Sequence, residues 1–366
     1  MSKRVQILAG PRALRHIREG GLRPEEVRFV AGAAGGPKWF ILAALDCFLF
    51  GHWLPRGSDV VHLVGASIGA WRFAAACRRD PVTALQDLLA SYVSQTFAPS
   101  ATPADVSAEG QAMLQAVLGK NGLEEALCHP RYRLAVLVNR GRGLISSRRR
   151  GALLLGLALA AISNAANRRT LGCFFERHVF VDPRDRPACL QRLHGFSTVV
   201  HDLSPGNFKA ALTASGSIPL VMEPVRDMPG FPLSSWWDGG IIDYHLDLPL
   251  LAPDDEGLLL FPHFSGQLIP GWFDKRLRRC HQPANVERAV LVVPHPEYVA
   301  KLPYGKLSDR KDFSAFAGRG AERRAYWQHV ADAGAALADD FADLADSGRI
   351  RHVVQPLVLQ RSASGM

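Results

Sequence analysis

His62-Leu-Val-Gly-Ala-Ser67-Ile-Gly-Ala-Trp71 (HLVGASIGAW) is an apolar run that stops at a serine between two glycines and passes at once into helix-forming residues. The run reads as a buried strand at 60–64, the residues from 70 to 78 as a helix, and Gly65 to Gly69 as the turn between them. Strand, tight turn and helix form the repeating unit of α/β folds. The same unit stands just upstream. Residues 27–31 (VRFVA) predict a strand, 32–38 (GAAGGPK) a small-residue loop, and 39–50 an apolar helix.

Further along, 134–138, 179–181, 197–201, 258–261 and 289–293 have the short β-branched character of strands in one sheet. Helical spacing recurs between them, and 321–346 predicts a helix that ends at Gly348. Strands alternating with helices point to a mostly parallel sheet covered on both faces, a three-layer α/β/α arrangement. No internal repeat and no low-complexity linker divides the 366 residues, so one domain over 1–366 is the simplest organisation.

A hydrophobic content of 48% supplies a sizeable core. The six cysteines are scattered without CxxC pairs or metal-type spacing, which favours reduced thiols and neither a disulfide scaffold nor a metal centre. The N-terminus breaks into charge after a few apolar residues and lacks a secretory core, so a cytoplasmic location is expected. The longest apolar run, 152–162 (ALLLGLALAAI), falls short of the roughly 20 residues of a spanning helix. Arginines stand on both sides of it, at 140, 142 and 148–150 and at 168–169. A buried helix with solvated basic flanks is the expectation, and peripheral contact with an anionic membrane surface is the alternative. The net charge of +9 suits phosphate-bearing partners, yet no nucleic-acid-binding pattern accompanies it, and no nucleic-acid partner is expected.

Gly65-Ala-Ser67-Ile-Gly69 fits G-x-S-x-G in the context the motif requires, strand before and helix after. At such an elbow the serine lies above the sheet, beside helix amides that stabilise negative charge, and the flanking glycines admit a close neighbouring chain. A serine needs a base to become a nucleophile. In the order Ser, acid, His, the base is drawn from His245, His263, His281, His295, His329 or His352, none with a distinctive context. Alternatively it is Asp238 in Ser234-Ser-Trp-Trp-Asp-Gly-Gly-Ile-Ile-Asp243, where two tryptophans restrict water and partial desolvation raises a carboxylate's basicity. Trp272, Phe273, Lys275, Arg276, Arg278 and Arg279 form an aromatic and basic cluster suited to a lipid interface or to plain solvation.

Four segments in order carry a family resemblance: Ala33-Ala-Gly-Gly-Pro-Lys-Trp39, Gly65-Ala-Ser-Ile-Gly69, Ala214-Ser-Gly-Ser-Ile-Pro219 and Asp238-Gly-Gly240, with Asp247-Leu-Pro249 following. In this the chain resembles the patatin-like phospholipases, lipid acyl hydrolases with a Ser-Asp dyad. The resemblance spans about 27–250, and 251–366 stays unassigned apart from its closing helix. It implies a hydrolase of carboxylic esters in lipids or small esters, without cofactor. Ser67 would be the nucleophile and Asp238 the base. Gly35 and Gly36, joined by the N–H of Ile68, would form the oxyanion hole. Lys38 would stand near a substrate phosphate or be solvated. The first motif departs from the family's D-G-G-G-x-R-G at Ala33, Ala34 and Trp39, which leaves room for a decayed, lipid-binding protein. A phosphate-binding P-loop does not fit, because Trp39 follows Lys38 where Ser or Thr is required.

Overall fold

The computed structural model describes residues 4–358, apart from 99 and 278. Its ten strands are β1 (Val5–Ala9), β2 (Val27–Gly32), β3 (Val61–Ala66), β4 (Tyr132–Gly141), β5 (Phe175–Val181), β6 (Thr198–Asp202), β7 (Trp236–Asp238), β8 (Leu258–Pro262), β9 (Ala289–Pro294) and β10 (Gln355–Pro356). They share one sheet in the order β10-β1-β9-β8-β2-β3-β4-β5-β6, with β7 attached to β4. The central run β9-β8-β2-β3-β4 is parallel throughout, and β1, β5 and β7 join it antiparallel. Helices cover the sheet in the α/β/α arrangement that the alternation predicts. Six of the strands match the expected runs to within two residues at the N-terminal end, and β5 starts four residues early, at Phe175.

The register at the middle of the sheet positions the site. β3 stops at Ala66, opposite Leu137, while β4 continues to Gly141. The side of β4 that β3 vacates is taken by β7, with Asp238 opposite Val138. Ser67 and Asp238, 171 positions apart in the chain, therefore come to adjacent places along one strand edge.

The described residues beyond 250 join the same sheet. They add β8, β9 and β10 to the sheet, and the helix Gly320–Asp346 packs Trp327 against Phe40, ring centroids 5.3 Å apart. Beneath the site, α1 (Ile68–Ala76) is tied to its surroundings by a buried ion pair. Arg72 Nη1 donates to both Asp46 carboxylate oxygens at 2.7 and 2.8 Å, and Arg72 Nη2 reaches the Ala31 and Pro262 carbonyls on β2 and β8. Each hydrogen bond on these charges offsets part of their desolvation.

Two expectations change. The helix anticipated over 39–50 is a 3₁₀ turn (Gly36–Leu42), a short α-helix (Ala43–Phe48) and a π turn (Leu49–Trp53). Its buried Trp39 and Asp46, bonded to each other at 2.6 Å, hold it against α1 in place of regular helical pairing. The run at 152–162 lies within α2 (Arg150–Ala166), and it is not a buried helix. Its inner face packs, but Leu154, Leu155, Leu159 and Ile162 point outward into solvent. Among the described residues, no helix is long and apolar enough to cross a membrane.

Candidate active site

Ser67 has φ 57 and ψ −131, one of four non-glycine residues in the left-handed region among the described residues. Such a conformation costs of order 1–3 kcal/mol and persists only where the surroundings impose it. Here the close passage of chain imposes it. A Cβ on Gly69 would lie 1.9 Å from the Gly32 carbonyl oxygen, and one on Gly65 2.6 Å from the Ala70 nitrogen. Both flanking positions of the G-x-S-x-G motif must therefore be glycine for α1 to seat on β2 and β3.

The strained turn is fastened from behind. The Ser67 N–H donates to Ser215 Oγ at 2.9 Å, and Ser215 Oγ donates onward to the Leu137 carbonyl at 2.7 Å. Ser215 lies on α3 (Phe208–Gly216) and is fully buried. The segment 214–219 thus braces the elbow and supplies no second nucleophile to it.

The Ser67 hydroxyl faces the Asp238 carboxylate closely enough to favour its charged form. Both residues are nearly buried, at 7% and 6% exposed. Asp238 Oδ1 also accepts from the Gly240 N–H at 2.7 Å, and its backbone is held by Asp238 N–H to Ser217 O (2.8 Å) and by Asn139 Nδ2 to Asp238 O (2.8 Å) and Gly239 O (3.0 Å). Gly239 and Gly240 are required by contact, since added Cβ atoms would meet the Leu137 carbonyl oxygen at 2.3 Å and Ala34 Cβ at 2.5 Å. Burial raises the Asp238 pKa above the ordinary aspartate value, against the opposing pull of the nearby Ser67 hydroxyl and of the Gly240 N–H. A carboxylate so placed is a stronger base toward a hydroxyl than a solvated one.

Gly35 and Gly36 open the 3₁₀ turn beside this pair, and Gly36 has φ 56. Ala34 N–H is consumed by the Tyr244 carbonyl at 2.9 Å. Among the described residues, the N–H groups of Gly35, Gly36 and Ile68 have no acceptor, and that of Ile68 begins α1. Unpaired donors at a helix start are suited to an anion or oxyanion. The departures from the family's first motif have structural partners. Ala34 packs on Gly240, and Trp39 binds Asp46, the partner of Arg72.

Three cations gather at this site, and of these the sequence reasoning missed Arg310 and did not place Lys275 here. Arg310 packs its side chain over Gly36, 3.3 Å from where a Cβ would be, and its positive field reaches Asp238, Tyr92, Tyr244 and Lys275. Arg310 Nη1 is buried and, among the described residues, has no hydrogen-bond partner. Lys275 keeps solvent contact as a residue, yet its ammonium sits 4.0 Å from the centre of the Tyr244 ring. The desolvation of that ammonium, with Arg310 and Lys38 close by, pushes its pKa down to about 7. Lys38 is not simply solvated: it pairs with Asp309 at 3.5 Å and lies 5.3 Å from the Phe264 ring centre. Of the aromatic and basic cluster at 272–279, Lys275 is the member turned to the site, Arg279 is drawn to Asp274 on the far side, and Arg278 lies outside the described residues. No local pattern marks Arg310, whose place depends on a segment 240 residues from the elbow folding back across it.

The candidate histidines have other surroundings. His245 and His263 are buried against each other, ring centroids 4.3 Å apart, and burial lowers both pKa values, His263 to about 3. Their Nδ1 atoms engage the backbone of 265–269. Among the described residues, none of the six histidines bonds to Ser67 or Asp238. Nor is any group of three or more His, Cys, Asp or Glu there placed to hold a metal ion. Neither the models of known protein families nor the curated proteins with which the sequence was compared match it.

Proposed function

We propose that the chain is a serine carboxylic-ester hydrolase of patatin-like type, a lipid acyl hydrolase that works through a Ser67-Asp238 dyad. The observation that carries this reading is the Ser67 hydroxyl, on a left-handed elbow at the start of a helix, placed beside a buried carboxylate on the neighbouring strand position and not beside a histidine. Ser67 Oγ attacks the ester carbonyl as Asp238 takes its proton, and the tetrahedral oxyanion is received by the unpaired N–H groups of Gly35, Gly36 and Ile68. Collapse returns the proton from Asp238 to the departing alcohol and leaves an acyl-serine. Water then gives a proton to Asp238 and attacks the acyl carbon, and the acid leaves as Ser67 is reprotonated.

Arg310, Lys275 and Lys38 favour an ester that carries an anionic group near the scissile bond, as a phosphate or carboxylate does. The deciding experiment is labelling with a fluorophosphonate, which reacts with an activated serine, followed by mapping of the modified residue. Label at Ser67 is expected, and its absence in folded protein overturns the proposal. A Ser-His-Asp esterase requires one histidine whose replacement abolishes acyl transfer. A decayed lipid-binding protein would bind vesicles yet hydrolyse no ester.

A further inference from the structure

Between 141 and 175 the chain holds six arginines and no Asp or Glu. Arg142 is matched by Glu176 and Arg168 by Asp274. Arg148, Arg149, Arg150 and Arg169 are exposed and, among the described residues, form no ion pair. They stand at the two ends of α2, whose outward face is apolar from 151 to 166: Leu154, Leu155 (54% exposed), Leu159 and Ile162 (70%) face out, with Ala or Gly at the other exposed positions of that stretch. Leu144, on the turn before the helix, extends the same patch. A surface helix ordinarily turns its polar stripe outward, so α2 has the reverse pattern.

The inner face accounts for only part of this apolarity. Leu157 and Ala160 pack with Trp237, Ile241 and Ile242 in a small core, and Asn164 donates to the buried Asp274 at 2.9 Å. Nothing in that packing requires leucine at 154, 155 or 159 or isoleucine at 162.

We infer that the outward face of α2 is a docking surface for an anionic lipid bilayer. The Leu and Ile side chains enter the interface while the four unpaired arginines meet lipid phosphates at either end. Charge complementarity selects this occupant. The apolar stripe is too short to span, it offers no side-chain hydrogen bonding to a protein partner over three turns, and its cations have long stems able to reach up from buried leucines. The inference stands on this surface alone, independently of the hydrolase reading. If both hold, the bilayer rests one layer behind the Asp238 turn, because Trp237, Ile241 and Ile242 flank that turn and pack on the helix.

The test is sedimentation of the full chain with vesicles of phosphatidylglycerol and phosphatidylcholine, against vesicles of phosphatidylcholine alone. Binding to the anionic vesicles, weakened by salt, is expected, with about ten-fold or greater loss for Leu155→Ser combined with Ile162→Ser. A loss of similar size is expected for Arg148→Glu combined with Arg149→Glu. Circular dichroism melting checks that the variants remain folded, and both pairs lie on exposed positions away from the dyad. Equal binding to the two vesicle types, no binding to either, or binding unchanged in the folded variants overturns the inference. So does a dimer in solution that the leucine and isoleucine changes dissolve, since that gives the face to a second copy.

Discussion

The elbow at Ser67 and the outer face of α2 depart from ordinary packing in opposite directions. At the elbow, polar groups are buried and the backbone that holds Ser67 and Asp238 is partnered, down to the Ser215 hydroxyl that accepts from Ser67 N–H and donates to Leu137 O. On α2, apolar groups are exposed and have no partner among the described residues. The first arrangement is costly to fold and rigid, which suits chemistry that needs atoms held within a fraction of an ångström. The second is costly in water and is relieved only by something outside the chain. The molecule thus separates a rigid, buried polar turn from an exposed apolar surface, and a core of Trp237, Ile241 and Ile242 joins them.

Substitutions break that separation most sharply at the dyad. Ser67→Ala is expected to lower turnover of a short-chain soluble ester by at least about 10³-fold while leaving vesicle binding intact. Asp238→Asn should retain folding and lose about 10²- to 10⁴-fold in kcat, read on the same ester. Near-normal turnover would remove Asp238 as the base. Ser215→Ala leaves the Ser67 N–H and the Leu137 carbonyl buried without their partner, so a loss of about 1–3 kcal/mol in denaturant stability is expected, with a fall in kcat larger than any change in KM. None of these changes should alter binding by α2, and the α2 substitutions should not alter soluble-ester turnover. Crossed effects would mean that the two regions act as one.

The mildest test is pH. The proton acceptor must be ionised, and burial raises its pKa, so turnover should fall as pH drops through a midpoint above the ordinary aspartate value of about 3.9. Lys275 acts in the other direction: its ammonium is charged below a pKa of about 7, so KM for an anionic ester should rise as pH increases through that value. KM for a neutral ester should stay flat, and Lys275→Met should abolish the difference. A pH-independent ratio of the two KM values would exclude Lys275 from substrate binding.

Much of the architecture was legible because each local signal agreed with its neighbours. The runs at 27–31, 60–64 and 289–293 are apolar except at Arg28 and His62 because their strands are almost wholly buried, and they appear as β2, β3 and β9. β1 went unseen because Lys3 and Arg4 precede it and Gln6 interrupts it. β7 carries no strand signal of its own, since three residues are too few to show alternation. The helix at 39–50 broke into three turns because Trp39 and Asp46 answer to α1 and Arg72, partners that local periodicity does not contain.

The sequence by itself determined the strand-turn-helix at Ser67 and the need for glycine at 65, because both follow from short-range sterics within a few residues, whereas Gly69 answers to the Gly32 carbonyl on β2. It also determined the apolar, acid-free character of 150–166. Only the tertiary structure decided that Asp238 is the group that meets Ser67, since that depends on β7 filling the edge of β4 that β3 leaves open. Only the tertiary structure brought Arg310 over Gly36 and turned four apolar side chains of α2 outward. Those outcomes rest on contacts between segments tens to hundreds of residues apart, where a residue's role is set by which surfaces remain to be covered once the sheet has formed.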